Sequence, residues 1–345
     1  MARIGILLNM VAVAGTSLAF GRSSDPDHTA FSSEIGARSG APQTPRPQAA
    51  DRLRPGRTEE GTGILAEAIR VARRRGEAGL ELAGALNDLG SLYHDADRLP
   101  EAARCYTEAI AILKARGESN SNILVALGNL AGLRLAQTRY SEALKLYREA
   151  LEVAVSEFGS DSPEAATVCN GLAETFLGAR RYLEAREFSE RALAILETSG
   201  SDANKAVSLF ILSKVAFQQG AMERAESWLR RAIGAWRTSV GVGHPSYASG
   251  LASLAIVLSP SRPDEAERLF RQALEILRDT LGESHRYSGW VMSLYSHHLE
   301  LHGRKTEAKD LKRRADLILT GQSLRNLLGH TVDVQTLRSS RRGER

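Results

Sequence analysis

From about residue 61 onward the chain alternates stretches of helical hydrophobic spacing with short polar turns, and the stretches recur. The clearest marker is a small residue, usually followed by Leu or Ile: Ala68, Ala109, Ala150, Ala192, Ala232, Ala273 and Ala315. Successive spacings are 41, 41, 42, 40, 41 and 42 residues. A second alanine stands seven residues before all but the first of these: Ala102, Ala143, Ala185, Ala225, Ala266 and Ala308. Between the two alanines most copies place a large apolar residue, as in Tyr106, Tyr147, Leu229 and Phe270. Another small residue lies twelve before the earlier alanine, at Gly90, Ala131, Ala173, Ser213 and Ser296. In the fifth unit that gap is eleven, to Ala255, and Pro260 and Pro263 fall in the shortened turn. Parallel series at one period are the signature of a tandem array.

The pattern predicts a helical hairpin as the unit. In the second unit Leu127, Leu130, Ala131 and Leu135 form one stripe, and Ala143, Tyr147, Ala150, Leu151 and Ala154 form another. Both follow the i, i+3, i+4, i+7 spacing of an amphipathic helix. The short polar turn Gln137-Thr138-Arg139 forces the two helices to be antiparallel neighbours, and alanine at the crossing lets their axes approach. A single hairpin buries one face only, so the units must stack. Pro163 and Pro245 stand two units apart at helix starts, where the missing N–H costs no hydrogen bond. Residues 61–76 supply only the second helix of a unit. A half unit followed by six whole ones is expected, ending near 319.

The flanks read differently. Residues 1–19 carry Arg3, an apolar run from Ile4 to Val13, and Ser17-Leu18-Ala19 at a peptidase-like site. They read as a signal peptide cut after Ala19, which implies a secreted or periplasmic protein. The alternatives are an uncleaved anchor helix, for which the run is short and polar-interrupted, and a cytoplasmic protein. No cysteine follows the run, which excludes a lipoprotein anchor. Residues 20–60, with Pro42, Pro45, Pro47 and Pro55, read as a disordered linker. Residues 320–345 read as a capping segment, Ser323 to Leu328, then a short strand-like alternation from Thr331 to Leu337 and a basic tail.

Charge narrows the function. The net charge is +4 and the pI about 9.1, but the excess sits in the ends, and residues 61–335 are neutral overall. A neutral body lacks the patch needed to neutralise many phosphates, so nucleic acid is not an expected partner. Aromatic residues are only 6%, consistent with helices packed through small side chains rather than a sheet core. Cys105 and Cys169 fall inside apolar helical patterns and read as buried small side chains.

The order of small, Tyr or Leu, Ala, aromatic and Ala in LGSLYHDADRLPEAARCYTEAI and LAGLRLAQTRYSEALKLYREAL resembles the tetratricopeptide repeat. The joints GSDSPEAA, GVGHPSYA and LGESHRYS resemble the linkers of kinesin-light-chain-like repeats, whose period exceeds the usual ~34 residues. The resemblance implies an all-α, right-handed α-solenoid whose concave groove is lined by the first helix of each unit. The groove side then includes Asn87, Ser91, His94, Gly128, Asn129, Gly132, Asn170, Glu174, Phe210, Lys214, Phe217, Ile256, Trp290 and His297. The three asparagines offer amides to an extended peptide backbone, the two glycines leave a shallow floor, and Phe210, Phe217 and Trp290 are candidate apolar anchors. The Lys/Asn clamp for a terminal carboxylate is not recognisable, because Asn87 and Ser91 stand where it would need Lys and Asn.

No phosphate loop or nucleophile elbow occurs in the sequence. His298 and His302, one helical turn apart with His297 and Glu300 close by, are the best metal candidates. Two such ligands hold zinc only if a third converges, and none is identifiable. His244 and His285 belong to the inter-unit joints, where a structural role is expected. A non-catalytic scaffold without cofactor or metal, binding a peptide or protein in its groove, is therefore the leading expectation. Self-association through the half unit and a cytoplasmic regulator are the alternatives.

Overall fold

The computed structural model describes residues 55–74, 79–96, 98–117, 121–199 and 202–327. The expected signal peptide, nearly all of the expected linker and the expected strand-like tail lie outside the described residues. Thirteen helices, and no strand, occur among the described residues. A lone helix α1 (Pro55–Arg74) precedes six pairs: α2 (Leu80–Asp95) with α3 (Leu99–Ala115), α4 (Ser121–Ala136) with α5 (Tyr140–Phe158), and α6 (Pro163–Gly178) with α7 (Tyr182–Ser199). The others are α8 (Asp202–Gln218) with α9 (Met222–Ser239), α10 (Pro245–Leu258) with α11 (Pro263–Leu281), and α12 (Arg286–Leu301) with α13 (Lys305–Leu327). α1 begins six residues before the expected start of the array, and α13 runs on through most of the expected capping segment.

The alanine series marks the closest approaches. Ala102, Ala109, Ala143, Ala150, Ala185, Ala192, Ala225, Ala232, Ala266, Ala273 and Ala315 have no exposed surface. Tyr106, Tyr147 and Phe270 fill the space between successive crossings and are themselves fully enclosed. The two helices of a pair differ in how much of their surface is covered. The second helix buries one stripe, as α11 does with Ala266, Phe270, Ala273 and Leu277, and its other faces carry charge. The first helix packs on its partner and on the preceding and following units, so it is enclosed nearly all round. In α8 every residue from Ser208 to Phe217 is buried.

Turn chemistry fixes the hairpins. Thr138, Arg180, Gly220 and Gly303 occupy the middle of their three-residue turns with positive φ, at 58°, 60°, 76° and 78°. Glycine adopts that conformation freely, whereas Thr138 and Arg180 accept some strain. Among the six pairs every second helix but α9 opens with an Arg–Glu pair three residues apart: Arg98–Glu101, Arg139–Glu142, Arg181–Glu184, Arg262–Glu265 and Arg304–Glu307. The glutamates lie in the first turn, where the helix dipole favours negative charge. Successive second helices are bridged by Arg73–Glu108, Lys114–Glu149, Glu197–Arg231, Arg230–Glu265 and Glu267–Arg304.

The joints between units follow equally local rules. Ser162 caps α6, its Oγ accepting from Ala165 N at 3.1 Å. His244 and His285 do the same for α10 and α12, each Nδ1 accepting from the backbone N–H two residues on, at 3.1 and 3.2 Å. Both histidines therefore play the structural part expected of them. Cys105 and Cys169 are buried and unlinked, and burial raises the Cys169 thiol to about 11.

Candidate functional site

The fourteen candidate groove residues all lie on the first helices α2, α4, α6, α8, α10 and α12. One register position runs through Ser91, Gly132, Glu174, Lys214 and Ile256 to His297, one residue per unit, because each stands one residue after the repeated small residue. Nearly one helical turn earlier lie three asparagines, Asn87 and Asn170 in register with each other and Asn129 one residue out of it, beside Gly128.

The amides of these asparagines join one unit to the next. Asn129 Nδ2 donates to Asn87 Oδ1 at 3.0 Å, tying α4 to α2. Asn170 Nδ2 donates to the Asn204 carbonyl at 3.2 Å, and Asn170 Oδ1 accepts from Ser208 Oγ at 2.8 Å, tying α6 to α8. Asn204 returns a bond to Thr167 Oγ1 at 3.1 Å. Asn129 and Asn170 are buried, and Asn87 is half-buried. Part of the hydrogen-bonding capacity assigned to a bound backbone thus holds neighbouring units in register. Ser91 donates to the Asn87 carbonyl and accepts from the Tyr106 hydroxyl.

The apolar candidates belong largely to the packed core. Phe210 meets Trp236 of α9 edge to face, with centroids 5.1 Å apart, and Phe217, Ile256 and Trp290 are buried with it in one cluster. Gly128 and Gly132 are also buried.

Glu174 and Lys214 form the most unusual part of the site. Both are buried, at 3% and 2% exposure, at equivalent positions of α6 and α8. The Lys214 ammonium sits 4.4 Å from the centre of the Phe210 ring. Burial lowers its pKa to about 8, and the negative charge of Glu174 opposes that shift. Lys214 Nζ has no hydrogen-bond acceptor among the described residues. Burying an ammonium without acceptors is costly, so the surrounding packing must hold it there.

The histidines divide by environment. His94 is half-buried, and desolvation, helped by the charge of Arg286, lowers its pKa to about 4. Burial also lowers His297. His298 is buried, with Nδ1 2.7 Å from Ser259 Oγ, while His302 Nε2 lies 2.9 Å from the Ser259 carbonyl. The pair thereby fixes α12 to the end of α10. No group of three or more His, Cys, Asp or Glu suited to a metal occurs among the described residues.

Sequence reasoning missed the hub at Glu267. Tyr295 Oη donates to its Oε1 at 2.8 Å, Arg271 to the same oxygen at 2.6 Å, and Arg304 to Oε2 at 2.8 Å. These donors hold the Glu267 carboxyl down at about 2 against the opposing effect of burial. The sequence signal was absent, because Tyr295 and Arg304 come from positions 28 and 37 residues away.

Comparison with known proteins agrees with this architecture. Profiles described as tetratricopeptide repeat match residues 82–115, 122–198 and 204–279, together more than half of the chain. Rap protein complexed with Competence and Sporulation Factor superposes with a TM-score of 0.60 at 13% identity, over 77% of this chain and 72% of that one. BtubC (BKLC) from P. vanneervenii gives 0.51 at 20% identity, over 68% and 94%. At those identities the likeness shows the fold alone. A clustered mitochondria protein homolog from Meyerozyma guilliermondii is 28% identical over 139 residues. The match covers 39% of this chain and only 11% of that protein, so the chain spans about a tenth of the curated relative's length. With the alanine series at the crossings of six stacked helix pairs and these matches in register with them, the chain belongs to the tetratricopeptide repeat family.

Proposed function

We propose that the protein is a non-catalytic scaffold that holds a peptide or protein along its row of first helices. The observation that carries this reading is the run of polar side chains along successive first helices, with Asn87, Asn129 and Asn170 near one level and Glu174 and Lys214 at one register position. Polar groups at a fixed spacing on a stiff array suit an extended chain, and the stiffness limits the entropy lost on binding. A protein of the same fold, Rap, is described in complex with Competence and Sporulation Factor, which supports binding as the use of such an array.

The test is isolation of the partner from the source cell, followed by titration against wild type and Asn129→Ala/Asn170→Ala. A loss of affinity of about tenfold or more is expected. Unchanged affinity in the folded double variant refutes the groove assignment. Export rests on residues 1–19, and a mature protein beginning at Phe20 is the outcome that supports it.

A further inference from the structure

α1 is a second helix with no first helix of its own among the described residues. Its register shows what is missing. The position of Ile64 is apolar in every later unit, as Cys105, Leu146, Phe188, Trp228, Leu269 and Leu311, and in none of those six is it exposed. Ile64 is 61% exposed. One helical turn on, the marker alanine has no exposed surface in the six later units, whereas Ala68 keeps part of its surface open. Phe188 shows what covers this stripe elsewhere: its ring stacks on Phe176 of the first helix of the same unit, with centroids 5.5 Å apart.

We propose that the uncovered stripe of α1, at Ile64 and Ala68, docks an amphipathic helix of another polypeptide, of the same kind as the array's own first helices. The interface it would form continues the one repeated in all six pairs, and those crossings define its chemistry. Each covering helix brings a small residue and, one turn before it on the same face, an apolar one, as Leu86 and Gly90 do in α2 and Leu127 and Ala131 in α4. The small residue lets the axes approach: a Cβ on Gly90 would lie 2.7 Å from Tyr106 of α3. An apolar face of that spacing laid into a preformed seat is the helix-in-groove mode of recognition. Continuing the register backward centres the absent first helix on Ala49, just after Pro42, Pro45 and Pro47, which oppose a helix interior. The seat is therefore left to a helix from outside the hairpin. It lies on the end of the array, and the proposal does not depend on the groove reading.

The test uses a fluorescent peptide with the sequence of residues 80–98, the array's own α2 and its turn. Its anisotropy is followed on titration with the full chain, with Ile64→Asp and with a chain beginning at Phe20. Saturable binding by the full chain is expected, and binding to Ile64→Asp at least tenfold weaker. Ile64 is exposed, so that variant should keep the circular dichroism of the wild type. The peptide carrying Leu86→Asp should also bind at least tenfold more weakly, an arm that leaves the protein unchanged and decides alone if Ile64→Asp does not fold. Light scattering of the full chain without peptide should show a monomer at the concentrations of the titration. Binding indifferent to Ile64→Asp and to Leu86→Asp, or no binding by either chain, overturns the proposal. Binding by the chain beginning at Phe20 but not by the full chain would show the seat filled by residues 1–19. Self-association abolished by Ile64→Asp would show it filled by a second copy. Either result overturns the assignment to another polypeptide.

Discussion

Two glycines on helices of this array should respond to the same substitution with opposite signs. Ala is a better helix former than Gly by about 0.8–1 kcal/mol, so Gly→Ala in a helix interior begins with that gain. At Gly234, on α9, an added Cβ meets nothing within 4 Å, and a net stabilisation of about 0.5–1 kcal/mol is expected. At Gly171, on α6, the same Cβ would lie 2.4 Å from Tyr147 Cε1 and 2.6 Å from Cζ. Carbon atoms prefer separations of about 3.5–4.0 Å, so one of the two must move by roughly an ångström. Tyr147 has no exposed surface, and its ring is wedged between units. Overpacking of this kind costs about 1–3 kcal/mol or more, which exceeds the propensity gain. Urea unfolding followed by circular dichroism at 222 nm should therefore move the midpoint up for Gly234→Ala and down for Gly171→Ala. Tyr147→Leu, which mimics Leu229 at the equivalent position, should recover part of the loss in the Gly171→Ala background. A positive coupling in that double-mutant cycle is the specific signature. Midpoints that shift in the same direction for both glycines would refute the claim that the Tyr147 contact decides the sign.

Acid should weaken the fold through His298. Burial holds it at about 4 against an ordinary 6.5, so the unfolded chain takes up the proton first. Its contribution is complete above about pH 6.5 and falls as the pH drops toward 4, by at most ~1.4 kcal/mol per pH unit. His298→Asn should flatten the stability–pH curve across that window, as read by denaturant titrations at several pH values. Glu267 acts lower: its depressed pKa gives stability that is present above about pH 4.5 and lost as the pH falls toward 2. Glu267→Gln at pH 7 should destabilise by about 1–2 kcal/mol, less in high salt, because its charge-assisted bonds are partly exposed. Ser189 has a fully buried hydroxyl without a partner among the described residues, at the position where four other units carry Tyr, Leu or Phe. Ser189→Ala should therefore raise the unfolding midpoint by the equivalent of about 1 kcal/mol, and a loss of stability would show that the hydroxyl is paired.

The sequence by itself determined the unit and its repetition. Ala143 and Ala150, Tyr147 and the polar turn at 137–139 lie within one hairpin, so their spacing alone specifies two antiparallel helices and a face that must be covered. A structural role for His244 and His285 was legible for the same reason, and the structure makes it a cap, each bonding to a backbone N–H two residues away. The candidate site was legible only as a row: periodicity placed Asn87, Asn129 and Asn170 on successive first helices. Which groups those amides meet was decided by stacking, because Asn87 and Asn129 are 42 residues apart and Asn170 and Ser208 are 38 apart. Glu267 with Arg304 and Ser259 with His298 likewise pair side chains from different units, at separations of 37 and 39 residues. Local spacing fixes how a hairpin folds. The twist and offset between hairpins fix which side chains come within hydrogen-bond reach, and those depend on the packed shape of every residue at the interface.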